Sequence, residues 1–371
     1  MFTHQIRGNR DPRELMRDNM LVKHLAGSHA YGTALPTSDV DYRGIFVADP
    51  INYLTPFFTV KEVEDQNEED TKLFELGHFT KLCVDCNPNI VETLWVDEED
   101  ITFSTPAYDY LRANRDLMLS SKIAFTTSGY AMAQLKRIKG HNKWINNPQA
   151  KEPPQPKDFL SVLQLFTDDE GNRLRSGIDE CFRDHRLLHY SSDTYGVYEY
   201  PGYTLWTDDG TLMDKMGDAT REKLYNSGAT PVMVVKFNRE EYRVAKQRHE
   251  QYWSWKTNRN QARGVLEEQF GYDTKHAMHL VRLMRMGKEA LSEGRLIVKR
   301  PDAEELLSIR AGAWTYEEVL EYAEEMDHEI REKLYKTTAL PKKPNLKKVA
   351  QVLMETQEYV WTNTNENRET S

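Results

Sequence analysis

The sequence predicts an α/β (α+β) fold: a small core of mixed strands and helices, an irregular β-containing middle, and a mostly helical C-terminal region. Three observations lead there. Strand-like apolar runs, from Val40 to Val47 and in TKLFEL, alternate with helical spacing before Gly140. The run NNPQAKEPPQPK, residues 146–157, places four prolines where the composition changes. From Arg239 onward, long segments with helical periodicity return.

Taken in order, residues 13–20 read as a short helix. The stretch Val40 to Val47 has strand character and Pro50 ends it. KEVEDQNEED, residues 61–70, is strongly acidic and reads as a solvated loop. TKLFEL gives a second strand and leads into a helix with apolar positions at Leu76, Phe79, Cys83 and Cys86, closed by Pro88. Residues 102–139 read as mostly helical, with Gly140 as the stop. The proline-rich run is a linker. Beyond it, DTYGVYEYPGYTLW is hairpin material and PVMVVKF a buried strand. Helices are expected from Arg239 to Phe270 and from Asp273 to a stop at Gly294, and RLIVKRPDAEELL reads as a strand, a turn and a helix. The polar tail from Thr362 is expected to fray. The resulting division is a core at 1–145, a linker at 146–157, an insertion at 158–238, a helical domain at 239–361 and a tail at 362–371.

A chain of 371 residues accommodates two or three packed units. Hydrophobic residues at 39% and charged residues at 29% fit a soluble globular protein. No apolar run approaches the roughly 18 residues that span a bilayer, and the first 20 residues, MFTHQIRGNRDPRELMRDNM, carry no apolar signal core. Three cysteines make no disulfide framework, so a cytoplasmic location is expected. The net charge of −10 argues against coating nucleic acid over the whole surface, yet permits a local basic groove.

The chemistry concentrates in HLAGSHAYGTALPTSDVDYRGIFV, His24 to Val47. Asp39 and Asp41 are two apart on a strand-like segment, so both carboxylates are expected on one face. Adjacent carboxylates repel unless a cation lies between them, and all-oxygen ligands suit Mg²⁺, or Mn²⁺ in its place. Upstream, Gly27-Ser28 and Gly32-Thr33 can form a turn whose N–H groups and hydroxyls hold phosphate, with Ser38 as a further candidate. A phosphate cradle beside a metal pair is the equipment of phosphoryl or nucleotidyl transfer. A P-loop is rejected, because no lysine precedes the Ser/Thr.

GSHAYGTALPTSDVD resembles the signature of the polymerase-β-type nucleotidyltransferase superfamily: a Gly-Ser pair, a spacer, then Asp-x-Asp on a strand. More narrowly, the chain is similar to the nucleotidyltransferase family associated with RNA ligases in bacteria and large phages. KLCVDCNPNIVETLW, GYDTKHAMHLVRLMRMGKEAL and RPDAEELLSIRAGAW carry that likeness, over about 20–135 and 240–325. The resemblance implies a mixed-sheet core and Mg²⁺-dependent transfer of a nucleoside monophosphate from an NTP. Gly27 and Ser28 would hold the triphosphate, and Asp39 and Asp41 the metals. It also implies a third carboxylate on a neighbouring strand. Asp70 and Glu75 are the candidates; Glu75 sits in a hydrophobic-acid-hydrophobic pattern, while Asp70 better matches the family's spacing before the NPN motif.

Other candidates have plainer readings beside them. Cys83 and Cys86 form a lone CxxC, and with only Cys181 elsewhere they read as core thiols rather than a zinc site. Asn87, Asn89 and Glu92 can brace a site or cap a helix. Lys275, His279 and Arg282 share a helix face that can meet a triphosphate or a polyanionic acceptor, against the plain reading of a solvated stripe. His276 and His279 do not have the spacing of an H-E-x-x-H zinc pair. Tyr252, Trp253, Trp255 and Arg259 read as helix packing in preference to a single-strand-binding surface. The expected acceptor is a hydroxyl at an RNA end, with a protein side chain or small molecule, or a catalytically silent nucleotide-binding module, as alternatives.

Overall fold

The computed structural model describes residues 11–65, 70–166, 183–204, 222–224, 226–259 and 261–369. Contacts group the chain into two compact units, residues 1–146 with 261–371, and residues 147–260. Among the described residues, no helix is long and apolar enough to cross a membrane.

The first unit opens with α1 (Pro12–Asp18), whose start is fixed by the Asp11 side chain accepting from the Arg13 N–H and by a proline at the first position. The chain then becomes strand β1 (Met20–Ala26), where the sequence predicts the end of a helix. Pairing decides this: β1 lies between two antiparallel neighbours, β2 (Asp41–Phe46) and β5 (Ile101–Ser104). With β3 (Glu62–Asp65) and β4 (Thr71–Glu75), the strands form one sheet in the order β3-β4-β2-β1-β5. β2 and β4 run parallel and the other neighbours antiparallel, so the sheet is mixed. The acidic stretch expected as a loop therefore contains β3. Its Glu62 and Glu64 are held in place by Lys72 on β4, at 3.0 and 2.8 Å.

One sheet face is covered by α1, with Leu15, Met16, Phe46 and Leu73 in that layer. The other carries Val22, Ile45 and Phe74 into the main core. Helix α2 (Gly27–Ala30) follows β1, and α3 (Pro50–Leu54) follows β2. The expected helix after β4 is α4 (Leu76–Val84), with Leu76, Phe79 and Cys83 buried on its apolar side. Cys83 and Cys86 are both fully buried, as core thiols should be. Cys181 lies outside the described residues. After α5 (Pro88–Val91), β5 takes the start of a stretch that reads as mostly helical in the sequence, and α6 (Pro106–Ala113) follows as helix. The long α7 (Ile123–Asn146) runs straight through Gly140. Glycine costs a helix interior about 1 kcal/mol, which packing of Leu135 and Ile138 outweighs.

The C-terminal part of this unit comprises α9 (Gln261–Phe270), α10 (Thr274–Glu293), α11 (Ala303–Arg310), α12 (Tyr316–His328) with its continuation α13 (Tyr335–Thr337), and α14 (Leu346–Glu369). Helix α10 is its axis: Leu280, Val281, Met284 and Ala290 have no exposed surface, and its Gly287 lets Thr127 of α7 approach closely. It stops at Gly294, in the left-handed conformation with φ 74°. No strand forms at 295–299; Leu296 and Val298 fill the core from an irregular segment instead. The polar tail is helical to Glu369, because α14 is continuous with a segment that buries Val349, Val352 and Val360.

The second unit holds an antiparallel sheet in the order β6-β9-β8-β7, made of β6 (Leu160–Leu165), β7 (Arg183–Ser191), β8 (Thr194–Thr204) and β9 (Met233–Phe237). The stretch read as hairpin material forms one strand, β8, as far as Thr204, and the hairpin is made by β7 and β8 with its turn at Ser192 and Asp193. Helix α8 (Arg239–Asn258) groups with this sheet rather than with the later helices, and its Tyr242 packs on Phe159 and Phe237. Tyr252 is buried edge-on to Trp253, whose indole donates to the Ala150 carbonyl. Packing accounts for these aromatics.

Gly44 marks the tightest point of the first sheet. A β-carbon there would sit 2.0 Å from the Val22 carbonyl oxygen and 2.4 Å from Leu73. Gly44→Ala should therefore destabilise the chain by about 1–3 kcal/mol or more through overpacking. Thermal unfolding that matches the wild type would contradict this account of the sheet.

Candidate active site

The antiparallel β1–β2 pair closes with Ala26 opposite Asp41, so Gly27 begins just where β2 starts. β4 runs parallel to β2 with Tyr42 opposite Thr71, and the Tyr42 N–H donates to the Asp70 carbonyl. The end of β1 and the starts of β2 and β4 thus meet at one end of the sheet. That junction brings together Gly27, Asp41 and Asp70, with Asp39 two residues ahead of Asp41.

The spacing at Gly27 is tight. Its φ is +60°, and a β-carbon would stand 2.8 Å from the Asp41 Oδ2. Glycine is required both for the backbone conformation and for the carboxylate's approach to the loop. Gly32, with φ +71°, closes the turn by donating to the His29 carbonyl, while Thr33 is buried and its N–H donates to the Ser28 carbonyl. Ser38 shapes the outer loop, its hydroxyl accepting from the Leu35 N–H at 2.9 Å.

Electrostatics report the same clustering. Asp41 has its carboxyl pushed above the usual range, first by burial and then by the negative charge of Asp70, with Asp39 adding to it. Arg43 and His29 pull the other way without prevailing. Three carboxylates lie near enough to act on one another at this largely exposed sheet end, with only oxygen donors among them. A hard divalent cation fits that donor set. The expectation of a strand beneath both aspartates needs adjusting: β2 starts at Asp41, and Asp39 sits in the extended segment before it.

The two candidates for the third acid separate clearly. Asp70 is exposed at the sheet end beside Asp41. Glu75 is buried at the far end of β4 opposite Phe46, accepts the N–H groups of Gly77 and His78 as the cap of α4, and receives the Tyr53 hydroxyl. Its carboxylate is committed to a helix start.

Behind the phosphate-loop candidates lies a buried ion network that includes the sequence candidates Glu92 and Arg282. Tyr31 donates its backbone N–H to the Gly27 carbonyl and its hydroxyl to Glu92 at 2.7 Å. Glu92, 3% exposed, also receives Arg43 at 3.2 Å, and Arg282 lies 3.9 Å away. The Arg282 guanidinium stacks 3.7 Å over the Tyr31 ring. Arg43 further donates to the Asn89 carbonyl, and the Arg300 N–H donates to the Tyr31 carbonyl. Arg300 itself is tied to Glu289 and Asp302. Asn87 is the plain cap, accepting from the Asn89 N–H. Arg43 was detectable: it is two residues from Asp41, hence on the same strand face. Tyr31 had no local signal, while Glu92 follows the NPN motif and reads as a residue that can brace a site or cap a helix.

The proposed cationic face of α10 is therefore not a solvated stripe. Arg282 is buried against the loop. Burial, Arg282 and Lys275 push the His279 imidazole down to about 3, so it is neutral at physiological pH. Lys275 and Arg310 contribute charge around it from α10 and α11.

Residues 14–151 match the family described as "RNA repair pathway DNA polymerase beta family". Over these residues the chain is similar to that family. A curated relative, "Uncharacterized 38.9 kDa protein in nrdC-mobD intergenic region" of Enterobacteria phage T4, is 29% identical over 135 residues, covering 32% of this chain and 39% of that protein. The chain thus spans about two fifths of the length of the relative that it matches. No solved structure matches.

The raised Asp41 pKa has a consequence for metal-free protein. A carboxyl held higher in the folded chain than in the unfolded one costs stability as pH rises through its ordinary range towards the raised value. Removing the repelling neighbour should relieve that cost. Metal-free Asp70→Asn should melt above wild type at pH 7, with the difference vanishing at pH 3. A lower melting temperature for the variant at pH 7 would place Asp70 away from Asp41.

Proposed function

We propose that the chain is a Mg²⁺-dependent nucleotidyltransferase, moving a nucleoside monophosphate from an NTP to an acceptor hydroxyl, with an RNA end as the acceptor. The observation that carries the reading is the meeting of Gly27, Asp41 and Asp70 at one sheet end. Asp39, Asp41 and Asp70 would hold the divalent ions. Bound there, the ions supply neutralisation of the polyphosphate charge and of the departing pyrophosphate.

The chain's own residues do the positioning. The backbone of Gly27–Gly32, with the Ser28 hydroxyl, offers donors to the triphosphate, and Thr33 and Ser38 keep the loop in shape. Tyr31 and Arg282 hold that loop from behind, so its N–H groups keep their direction when charge arrives. Asp70, at the exposed edge of the cluster, is placed to accept the proton of the attacking hydroxyl. Lys275 offers positive charge for the acceptor strand or the outer phosphates. The RNA acceptor is supported by the matched family's printed link to RNA repair.

Labelled NTPs incubated with the protein, Mg²⁺ and RNAs of defined ends test the acceptor. Label entering a protein or a small molecule, and no RNA, would remove the RNA version. The catalytic assignment has its own test. Asp39→Asn/Asp41→Asn should abolish turnover while circular dichroism stays native, and persistent turnover would sink the metal assignment. Asp70→Asn should lower kcat by roughly 10²–10⁴-fold, whereas Glu75→Gln should retain turnover, since glutamine still caps α4. The reverse pattern would make Glu75 the third acid.

A further inference from the structure

A second cluster of ligand-type side chains lies in the first unit, among residues that the transfer chemistry does not use. His141 comes from α7, Glu267 from α9, and Asp273 from the turn that starts α10. The His141 Nδ1 stands 3.5 Å from Glu267 Oε1 and 3.1 Å from Asp273 Oδ2. All three ligand atoms lie within 4.8 Å of one another, and both carboxylates are almost wholly withdrawn from water. We propose that His141, Glu267 and Asp273 form a binding site for a divalent transition-metal ion, with zinc the best match.

The donor chemistry and the spacing both argue for it. One imidazole nitrogen and two carboxylate oxygens are a ligand set that zinc accepts, with bonds of about 2.0–2.2 Å. Ligand atoms on a tetrahedron of that size lie about 3.3–3.6 Å apart, close to the two nitrogen–oxygen separations of 3.5 and 3.1 Å. Three protein ligands leave the fourth position to water. The surroundings fix the ligands. Asp273 Oδ1 accepts the His276 N–H at 3.0 Å, and its Oδ2 receives the His276 Nδ1 at 2.5 Å. Arg137 lies 3.4 Å from the other nitrogen of that ring. Trp144 stacks on His141 at 5.8 Å between centroids. Ligands oriented in this way hold metals more tightly than free side chains do.

The rival occupant is a proton. Burial opposes a charge on His141, but hydrogen bonds and charges from Asp273 and Glu267 win and push it up to about 9. A metal ion would replace that proton, which leaves to solvent. Loaded, the site would pin α9 and the start of α10 to α7. It stands independently of the proposed transferase reading.

Full-length protein dialysed against Zn²⁺ and analysed for metal tests the proposal, with Co²⁺ as a spectroscopic substitute. Wild type and Asp41→Asn should each retain the zinc held by this ligand set, about one per chain. His141→Gln and Glu267→Gln should bind about 10-fold or more weakly and lose the visible cobalt bands of a four- or five-coordinate site. Should a variant fail to fold, the wild-type cobalt spectrum decides, intense bands displaced by one zinc equivalent being expected. No zinc uptake, equal uptake by wild type and the folded variants, or a pale six-coordinate cobalt spectrum would overturn it. So would zinc lost on Asp41→Asn and kept on His141→Gln, which would place the ion at the strand ends.

Discussion

A carboxylate at position 92 is buried in the main core, and a buried charge must be matched. Glu92 finds Tyr31, Arg43 and Arg282, and through them joins the loop after β1, the β2 strand and helix α10. Breaking such a group by removing one partner typically costs about 3–5 kcal/mol. That demand draws the C-terminal helices onto the N-terminal sheet. The three segments that carry the family likeness meet here: one supplies Glu92, one Arg282, and the third brings Arg300 to the Tyr31 carbonyl.

The junction in front of this network trades stability for chemistry. Asp41 sits where burial and neighbouring charges disfavour its ionised form. A site selected only for folding would place an apolar or neutral residue there. A carboxylate perturbed by burial and a specific charged neighbour marks a candidate functional site. In the proposed transferase, the rigid backing would serve the same end, since a loop held by Tyr31 and Gly27 would need little reorganisation around a polyphosphate.

The sheet also shows how one carboxylate becomes structural while its neighbour stays available. Asp70 and Glu75 bracket the same short strand. Their difference lies in which end of β4 they occupy: the start, beside Asp41, or the end, where α4 needs a cap. Hydrophobic flanks made Glu75 resemble a central-strand acid, but both flanks, Phe74 and Leu76, pack into the main core.

By itself the sequence determined the Gly-Ser…Asp-x-Asp loop, the strands at β2, β4 and β9, the helix before Pro88, the stop at Gly294, and the burial of Cys83 and Cys86. These are local: periodicity two or 3.6, a proline, a left-handed glycine. Tertiary structure decided β1, β3 and β5, because a strand without strong alternation exists only through its neighbours. It carried α7 past Gly140 and kept Leu296–Val298 out of any sheet, since packing outweighs propensities of about 1 kcal/mol per residue. It also turned Arg282 inward and joined His141 to Asp273. Those pairings span more than a hundred residues of chain, and no local pattern encodes a distance that only folding creates.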